Sequence, residues 1–164
     1  MKARISALKS TWVTMPFGAV RLELKDGLLV GTTLSPKTPP TSDISNDRIF
    51  QPYIRMLNAY VSRGKPLLLK ERLTEGTDFQ RRVWQQLLLI PAGDTMSYGD
   101  IAANLGSGAR AVANACRQNR LPLFVPCHRV VASSGIGGFM GKTSGGPLKI
   151  KRWLLAHETS INVN

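Results

Sequence analysis

Apolar positions in the first third of the chain read as sheet. Residues 17–24 and 28–34 flank Asp26-Gly27, a pair that accepts positive φ, so an antiparallel hairpin is predicted there. Residues 35–46, rich in Pro, Ser and Thr and without periodicity, read as a surface loop. From about 47 to 63 the period turns helical, with Ile49, Tyr53, Leu57, Tyr60 and Val61 on one face and Gly64 as the stop. Pro52 fits only in the first turn or at a kink. Leu67-Leu68-Leu69 then predicts a short return strand.

The pattern changes after residue 76. Thr77-Asp78-Phe79-Gln80 has capping-box spacing and opens a helix through Val83, Trp84, Leu87 and Leu88, which Pro91 and Gly93 end. Ser97-Tyr98-Gly99-Asp100 starts a second, short helix to about Leu105; Gly106-Ser107-Gly108 is a turn, and 109–118 forms a third helix. Helix, glycine turn, helix is the grammar of a helix-turn-helix, although the same pairing also occurs in domains that never touch DNA. A strand-like run over 125–131 follows, and 148–157 reads as a final helix with Ile150, Leu154 and Leu155 inward.

The 164 residues leave room for one domain or two small ones, and no segment approaches the roughly 20 apolar residues of a membrane span. The first nine residues interleave charge too often for a secretory core, so a cytoplasmic location is expected. Cys116 and Cys127 are too few for a disulfide scaffold and read as free thiols. Lys and Arg number 22 against 10 Asp and Glu, a net charge of +12. The imbalance concentrates late in the chain: between Asp100 and Glu158 stand Arg110, Arg117, Arg120, Arg129, Lys142, Lys149, Lys151 and Arg152, and no acid. Generic solubility is the plain alternative, but solvated surfaces usually intersperse both signs, so a nucleic-acid face is favoured.

Chemistry enters at Val125-Pro126-Cys127-His128-Arg129-Val130-Val131. Cysteine is a strong, polarisable nucleophile only as thiolate, so its site must supply a base or positive potential, and His128 and Arg129 adjoin it. Consecutive strand side chains point to opposite faces, which favours a bridging water over a direct Cys127–His128 bond. The only acid after Asp100 that could orient the imidazole is Glu158, oddly placed near a helix C-terminus that disfavours negative charge. A cysteine in an apolar run is often mere core, the reading kept for Cys116. Zinc held by Cys127, His128, Cys116 and His157 lacks the usual spacing, so no metal is expected.

At these residues the sequence resembles the O6-alkylguanine-DNA alkyltransferases, also called methylated-DNA–protein-cysteine methyltransferases. Pro126-Cys127-His128-Arg129-Val130 matches the family's active-site motif, and agreement extends through Tyr98-Gly99, Ala109-Arg110-Ala111-Val112, Asn119, Pro122, Gly137-Gly138-Phe139 and Arg152 to Glu158. The resemblance covers roughly 77–158 by motif and the N-terminal part by pattern alone. It implies an α/β N-terminal domain over 1–76, a ribonuclease-H-like sheet plus helix, then a mainly α, winged-helix-like DNA-binding domain over 77–164.

The implied function is direct repair of double-stranded DNA containing O6-alkylguanine, by irreversible transfer of the alkyl group to Cys127. No cofactor is implied, each molecule acts once as a monomer, and O4 of thymine is left open as a second donor. By resemblance His128 is the water-linked base, Glu158 its orienting acid, Asn119 the link from recognition helix to active site, and Tyr98 the phenol that neutralises the departing guanine. Arg110 matches the arginine that fills the gap left by a flipped nucleotide, with Ala109, Ala111, Arg117 and Arg129 beside it on the DNA face. Pro122, Val130, Ser133, Gly138 and Ser144 are expected around the substrate pocket. Either Met140-Gly141 or Ser144-Gly145-Gly146 can match the family's small-residue loop. Arg120 stands where the family usually has Pro, and the Gly106-Ser107-Gly108 turn is about two residues short. The competing readings are an alkyltransferase-like lesion sensor, a role whose members lack the nucleophile, and a Cys-His-Glu hydrolase, for which no oxyanion hole is identifiable.

Overall fold

Three antiparallel strands in the order β1 (Lys9–Met15), β2 (Gly18–Lys25) and β3 (Leu28–Ser35) form the sheet of the N-terminal half in the computed structural model, which describes residues 7–69, 73 and 75–161. The predicted hairpin is β2–β3, closed by the pair Lys25↔Leu28, with Asp26 and Gly27 both at positive φ. Strand β1 was not anticipated. It buries Thr11, Val13 and Met15 while Trp12 faces outward half-buried, so its inward positions begin with a polar residue and the alternation is masked.

Helix α1 (Gln51–Arg63) follows a single 3-10 turn at Arg48–Phe50. Pro52 sits in its first turn and Gly64 closes it in the left-handed conformation, as the sequence implies. The return strand expected at Leu67-Leu68-Leu69 does not form. Along β1, Thr11 Oγ1 accepts the Ser45 amide at 2.8 Å and Lys9 pairs with Asp47. Along β3, the Thr32 amide donates to the Arg120 carbonyl at 2.9 Å and its hydroxyl to the Pro122 carbonyl at 2.8 Å. Leu67 and Leu69 pack instead against the core.

The later helices are α2 (Asp78–Leu88), α3 (Tyr98–Leu105), α4 (Ala109–Arg117) and α5 (Gly146–Ile161). Both predicted capping boxes form, Thr77 with Gln80 and Ser97 with Asp100. Gly106 ends α3 at φ 61, and Ser107 N donates to the Ala102 carbonyl at 2.9 Å, which satisfies a terminal carbonyl and turns the chain into α4. Trp84 Nε1 donates to the Ala115 carbonyl at 2.9 Å and fastens α2 to the end of α4.

The strand-like run over 125–131 breaks at Pro126. Its φ of −81° and ψ of 65° make an inverse γ-turn, with Cys127 N donating to the Val125 carbonyl at 2.8 Å, and Cys127–Arg129 then form one 3-10 turn. Only β5 (Val130–Val131) is strand, paired in parallel with β4 (Met96–Ser97). Helix α5 also runs beyond the expected 148–157. Buried side chains of both halves form one cluster, in which Tyr53 meets Phe124 edge-on and Phe17 leans on Trp153.

Candidate active site

Cys127 is buried to 6% exposure in its tight turn. Asn119, just past α4, fixes that turn: its Nδ2 donates to the Val125 carbonyl at 2.9 Å and to Cys127 Sγ at 3.3 Å, while its Oδ1 accepts the Leu121 amide at 2.9 Å. Two cavities of about 240 and 230 Å³ meet at the thiol and share Cys116, Arg117 and Met140 as walls. Tyr98, Gly138 and Gly141 also line the first; Thr32, Thr33, Asn119 and Pro122 line the second.

The loop over the first cavity is a two-residue turn. Phe139 and Lys142 exchange backbone hydrogen bonds at 2.8 and 3.0 Å, and Met140 and Gly141 between them have φ of 52° and 74°. Of the two alignments the sequence left open, Met140-Gly141 is therefore the one at the thiol. Ser144 and Ser133 are exposed and line neither cavity, contrary to expectation; the extra residues carry Ser144 past the turn, and Ser133 projects from the loop after β5. Val130 is buried in β5 and is not a cavity wall.

His128, fully buried, points the other way, its Nε2 2.8 Å from Glu158 Oε1. Arg129 Nε and Nη2 donate to both oxygens of the same carboxylate at 3.0 and 2.9 Å, and its Nη1 donates to the Ile90 carbonyl at 2.6 Å. Arg129 was expected on the DNA face; it is turned inward because buried Glu158 needs a countercharge so near a helix C-terminus. Although burial opposes ionisation, the hydrogen bonds of His128 and Arg129, with the Arg129 charge, hold the Glu158 carboxyl well below the usual range. Burial, only partly offset by Glu158, lowers the His128 pKa, so the imidazole is neutral. His128 Nδ1, the remaining lone pair, has no hydrogen-bond partner among the described residues.

Burial pushes the Cys127 thiol up, against the Asn119 donor and the charge of Lys151, which favour thiolate. The resting group is thus a thiol, and the next residue in the chain carries a neutral imidazole. Burial and then the charge of Cys127 push Cys116 up to about 12; the sequence reads Cys116 as core, whereas it is half-buried and walls both cavities. Tyr98, at the start of α3, lies with its hydroxyl 3.4 Å from the Gly138 carbonyl; burial, then the two cysteines, push it up to about 12, so it is a neutral donor.

Helix α4 presents Ala109, Arg110, Asn114, Arg117 and Gln118 to solvent, with Ala111 half-buried beside them and Val112 and Ala115 inward. Arg110 and Arg117 are two turns apart and so share one face, with no acid between them.

Sequence reasoning missed two groups. Tyr60, placed in the core, also donates its hydroxyl to Glu158 Oε1 at 2.8 Å. Lys151, counted among the surface cations, is fully buried, and its Nζ donates to the carbonyls of Val130, Ile136 and Gly138 at 2.6, 2.7 and 2.9 Å. The signal for Lys151 was present: Leu148, Lys151, Leu154 and Glu158 recur at helical spacing, which puts both charges on the apolar stripe. Nothing in the sequence marks the partner of the Tyr60 hydroxyl.

A family model described as "6-O-methylguanine DNA methyltransferase, DNA binding domain" matches residues 78–160. A methylated-DNA–protein-cysteine methyltransferase of Methanosarcina acetivorans is 39% identical over 123 residues, 74% of this chain and 76% of that one. Its counterpart in Mycolicibacterium paratuberculosis is 37% identical over 152 residues, 89% of each chain. The crystal structure of Mycobacterium tuberculosis OGT in complex with DNA is similar at a TM-score of 0.77, with 36% identity over 93% of both chains.

Proposed function

Because the chain belongs to the methylated-DNA–protein-cysteine methyltransferases, DNA-repair enzymes that move an alkyl group from DNA to one of their own cysteines, we propose that Cys127 is the acceptor and O6 of guanine the donor. The observation that carries this reading is the placement of the Cys127 thiol where two cavities meet, hydrogen-bonded to Asn119 and followed in the chain by the His128–Glu158 pair. His128 Nδ1 takes the thiol proton through a water, and Glu158 balances the imidazolium that results. The thiolate attacks the alkyl carbon, the carbon–O6 bond breaks, and the electron pair leaves with guanine, which Tyr98 neutralises by proton donation from the first cavity.

A thioether is a poor leaving group, so the step is irreversible and each molecule acts once. The base must leave the duplex to reach a buried thiol, and Arg110 on the exposed face of α4 fills the gap, with Ala109, Ala111 and Arg117 alongside. We read the three-stranded sheet with α1 as the ribonuclease-H-like domain, divided from a winged-helix-like domain at residues 76 and 77, in a cytoplasmic monomer. The lesion-sensor alternative is disfavoured by the nucleophile itself.

Intact mass after incubation with O6-methylguanine duplex tests the reading. One methyl on Cys127, and none in Cys127→Ser although that variant still binds the duplex, is the expected result. A methyl mapped to Cys116 would overturn the assignment.

A further inference from the structure

Three donors converge on one buried oxygen. Glu158 Oε1 accepts from His128 Nε2 at 2.8 Å, from Arg129 Nη2 at 2.9 Å and from the Tyr60 hydroxyl at 2.8 Å. The first two belong to the turn that carries Cys127; the third comes from α1, 98 positions away in the chain. Tyr60 is not placed by the carboxylate alone. Its backbone carbonyl accepts from His157 Nε2 at 3.0 Å, its ring meets the His157 ring edge-on at 5.2 Å, and Trp153 stacks on that imidazole at 4.6 Å. The phenol is therefore held by packing between α1 and α5, and its hydroxyl is delivered to a carboxylate already held by Arg129.

We propose that Tyr60 is a positioning residue of the proton relay, whose hydroxyl, by sharing the negative charge of Glu158 Oε1, sets the pH at which His128 accepts the Cys127 proton. The inference rests on the reading of Cys127, His128 and Glu158 given above. When the thiol proton arrives at His128 Nδ1, the imidazolium must be balanced across the Nε2–Oε1 bond. An oxygen that also receives a phenol hydrogen balances it less strongly than one that does not, since each donor to the carboxylate lowers its basicity. Removing the hydroxyl leaves the charge to His128 and Arg129, stabilises the imidazolium and lets the thiol ionise at lower pH. The other groups facing the relay are Arg129 on the carboxylate, Lys151, whose charge bears on His128 and Cys127, Tyr98 and Cys116 beside the thiol, and His157 against the Tyr60 ring; a change of Tyr60 to Phe alters none of them chemically. Burial and the adjacent Glu158 charge push the Tyr60 phenol well above its ordinary value, so it remains a donor wherever the thiol titrates.

The test is the rate of Cys127 alkylation by a small haloacetamide between about pH 6 and 11, with the labelled peptide mapped by mass. The wild type is compared with Tyr60→Phe and with Tyr53→Phe. Tyr53 lies on the same buried face of α1, but its hydroxyl donates to the Gly27 carbonyl, away from the relay. Tyr60→Phe is expected to lower the midpoint by about half a pH unit, which is about threefold more thiolate at pH values below it. Tyr53→Phe should change stability and leave the midpoint in place.

A purely structural Tyr60 would behave like Tyr53, and an unchanged or raised midpoint in Tyr60→Phe overturns the proposal. Should Tyr60→Phe not fold, a ring-fluorinated tyrosine incorporated at position 60 keeps the volume and donates more strongly, so the midpoint must rise; a fall or no change overturns it equally. A wild-type chain that methylated DNA leaves unmodified at Cys127 would instead remove the reading on which the inference stands.

Discussion

Asn119 and Cys127 are joined by a 3.3 Å hydrogen bond from the amide Nδ2 to Sγ, and the same nitrogen holds the Val125 carbonyl, so one side chain both shapes the Cys127 turn and donates to its sulfur. A hydrogen bond to a charged group is worth about 1.5–3 kcal/mol, so Asn119→Ala should slow alkyl transfer about ten- to a hundredfold. Single-turnover rates on O6-methylguanine duplex check this. A loss of less than about twofold would show that the amide serves the turn alone.

Acid should destabilise the fold in two stages. Folded His128 has a pKa below its ordinary 6.5, so between the two values the unfolded chain holds more protons and stability falls as pH drops through that window. Folded Glu158 lies below its ordinary 4.5 in the same way, adding a second loss from about that pH downward. Both contributions are complete above pH 6.5 and each costs up to about 1.4 kcal/mol per pH unit inside its window. Urea midpoints measured from neutral to acid pH should slope accordingly, and His128→Gln should abolish the upper stage and, by altering a hydrogen bond that holds Glu158 low, shrink the lower one.

Lys151→Met keeps the stem and removes the ammonium that ties Val130, Ile136 and Gly138 together. Buried carbonyls left without a donor cost about 1–3 kcal/mol each, so a loss of at least about 2 kcal/mol is expected in denaturant unfolding. Burial lowers the Lys151 pKa to about 8, against the two cysteines, which raise it. Its charge is therefore available to favour Cys127 thiolate at neutral pH, and the variant should also raise the pH midpoint of thiol alkylation. Wild-type stability in Lys151→Met would contradict the buried role.

Arg110 separates extrusion from transfer. Its loss should expose part of an unstacking cost of a few kcal/mol, so Arg110→Ala should repair duplex about ten- to a hundredfold more slowly yet react with free O6-benzylguanine at nearly the original rate. Equal losses on both substrates would count against extrusion. Affinity for DNA should fall steeply with salt, and removing Arg110 or Arg117 should each lower the slope by about one.

Local signals in the chain were strong where backbone chemistry is local. The capping pairs at Thr77 and Ser97, the glycines at 64 and 106 and the Asp26-Gly27 turn each act within four residues, and all were legible. The bond between His128 and Glu158 was legible because an imidazole stood next to a cysteine and a single acid stood at the end of an acid-free stretch. What could not be read was which direction a long side chain takes. Arg129 and Lys151 count as surface cations in any composition, yet one neutralises Glu158 and the other serves three carbonyls, both inside. The same holds for Leu67-Leu68-Leu69: its apolar character suits a strand, but whether a segment joins a sheet or packs on the core is decided by tertiary structure, and Leu67 and Leu69 pack on the core.

The tie between β3 and the loop of Arg120 and Pro122 bears on modularity. Thr32 supplies two hydrogen bonds to that loop and stands with Thr33 in the wall of the second cavity, while Tyr53 and Phe17 cover Phe124 and Trp153. Severing the chain at residue 76 would strip a wall from the cavity, bare two large aromatic rings and leave two carbonyls to water. The C-terminal half carries the motif, but it is not a portable cassette: a graft onto another scaffold must bring the hairpin edge and α1 with it.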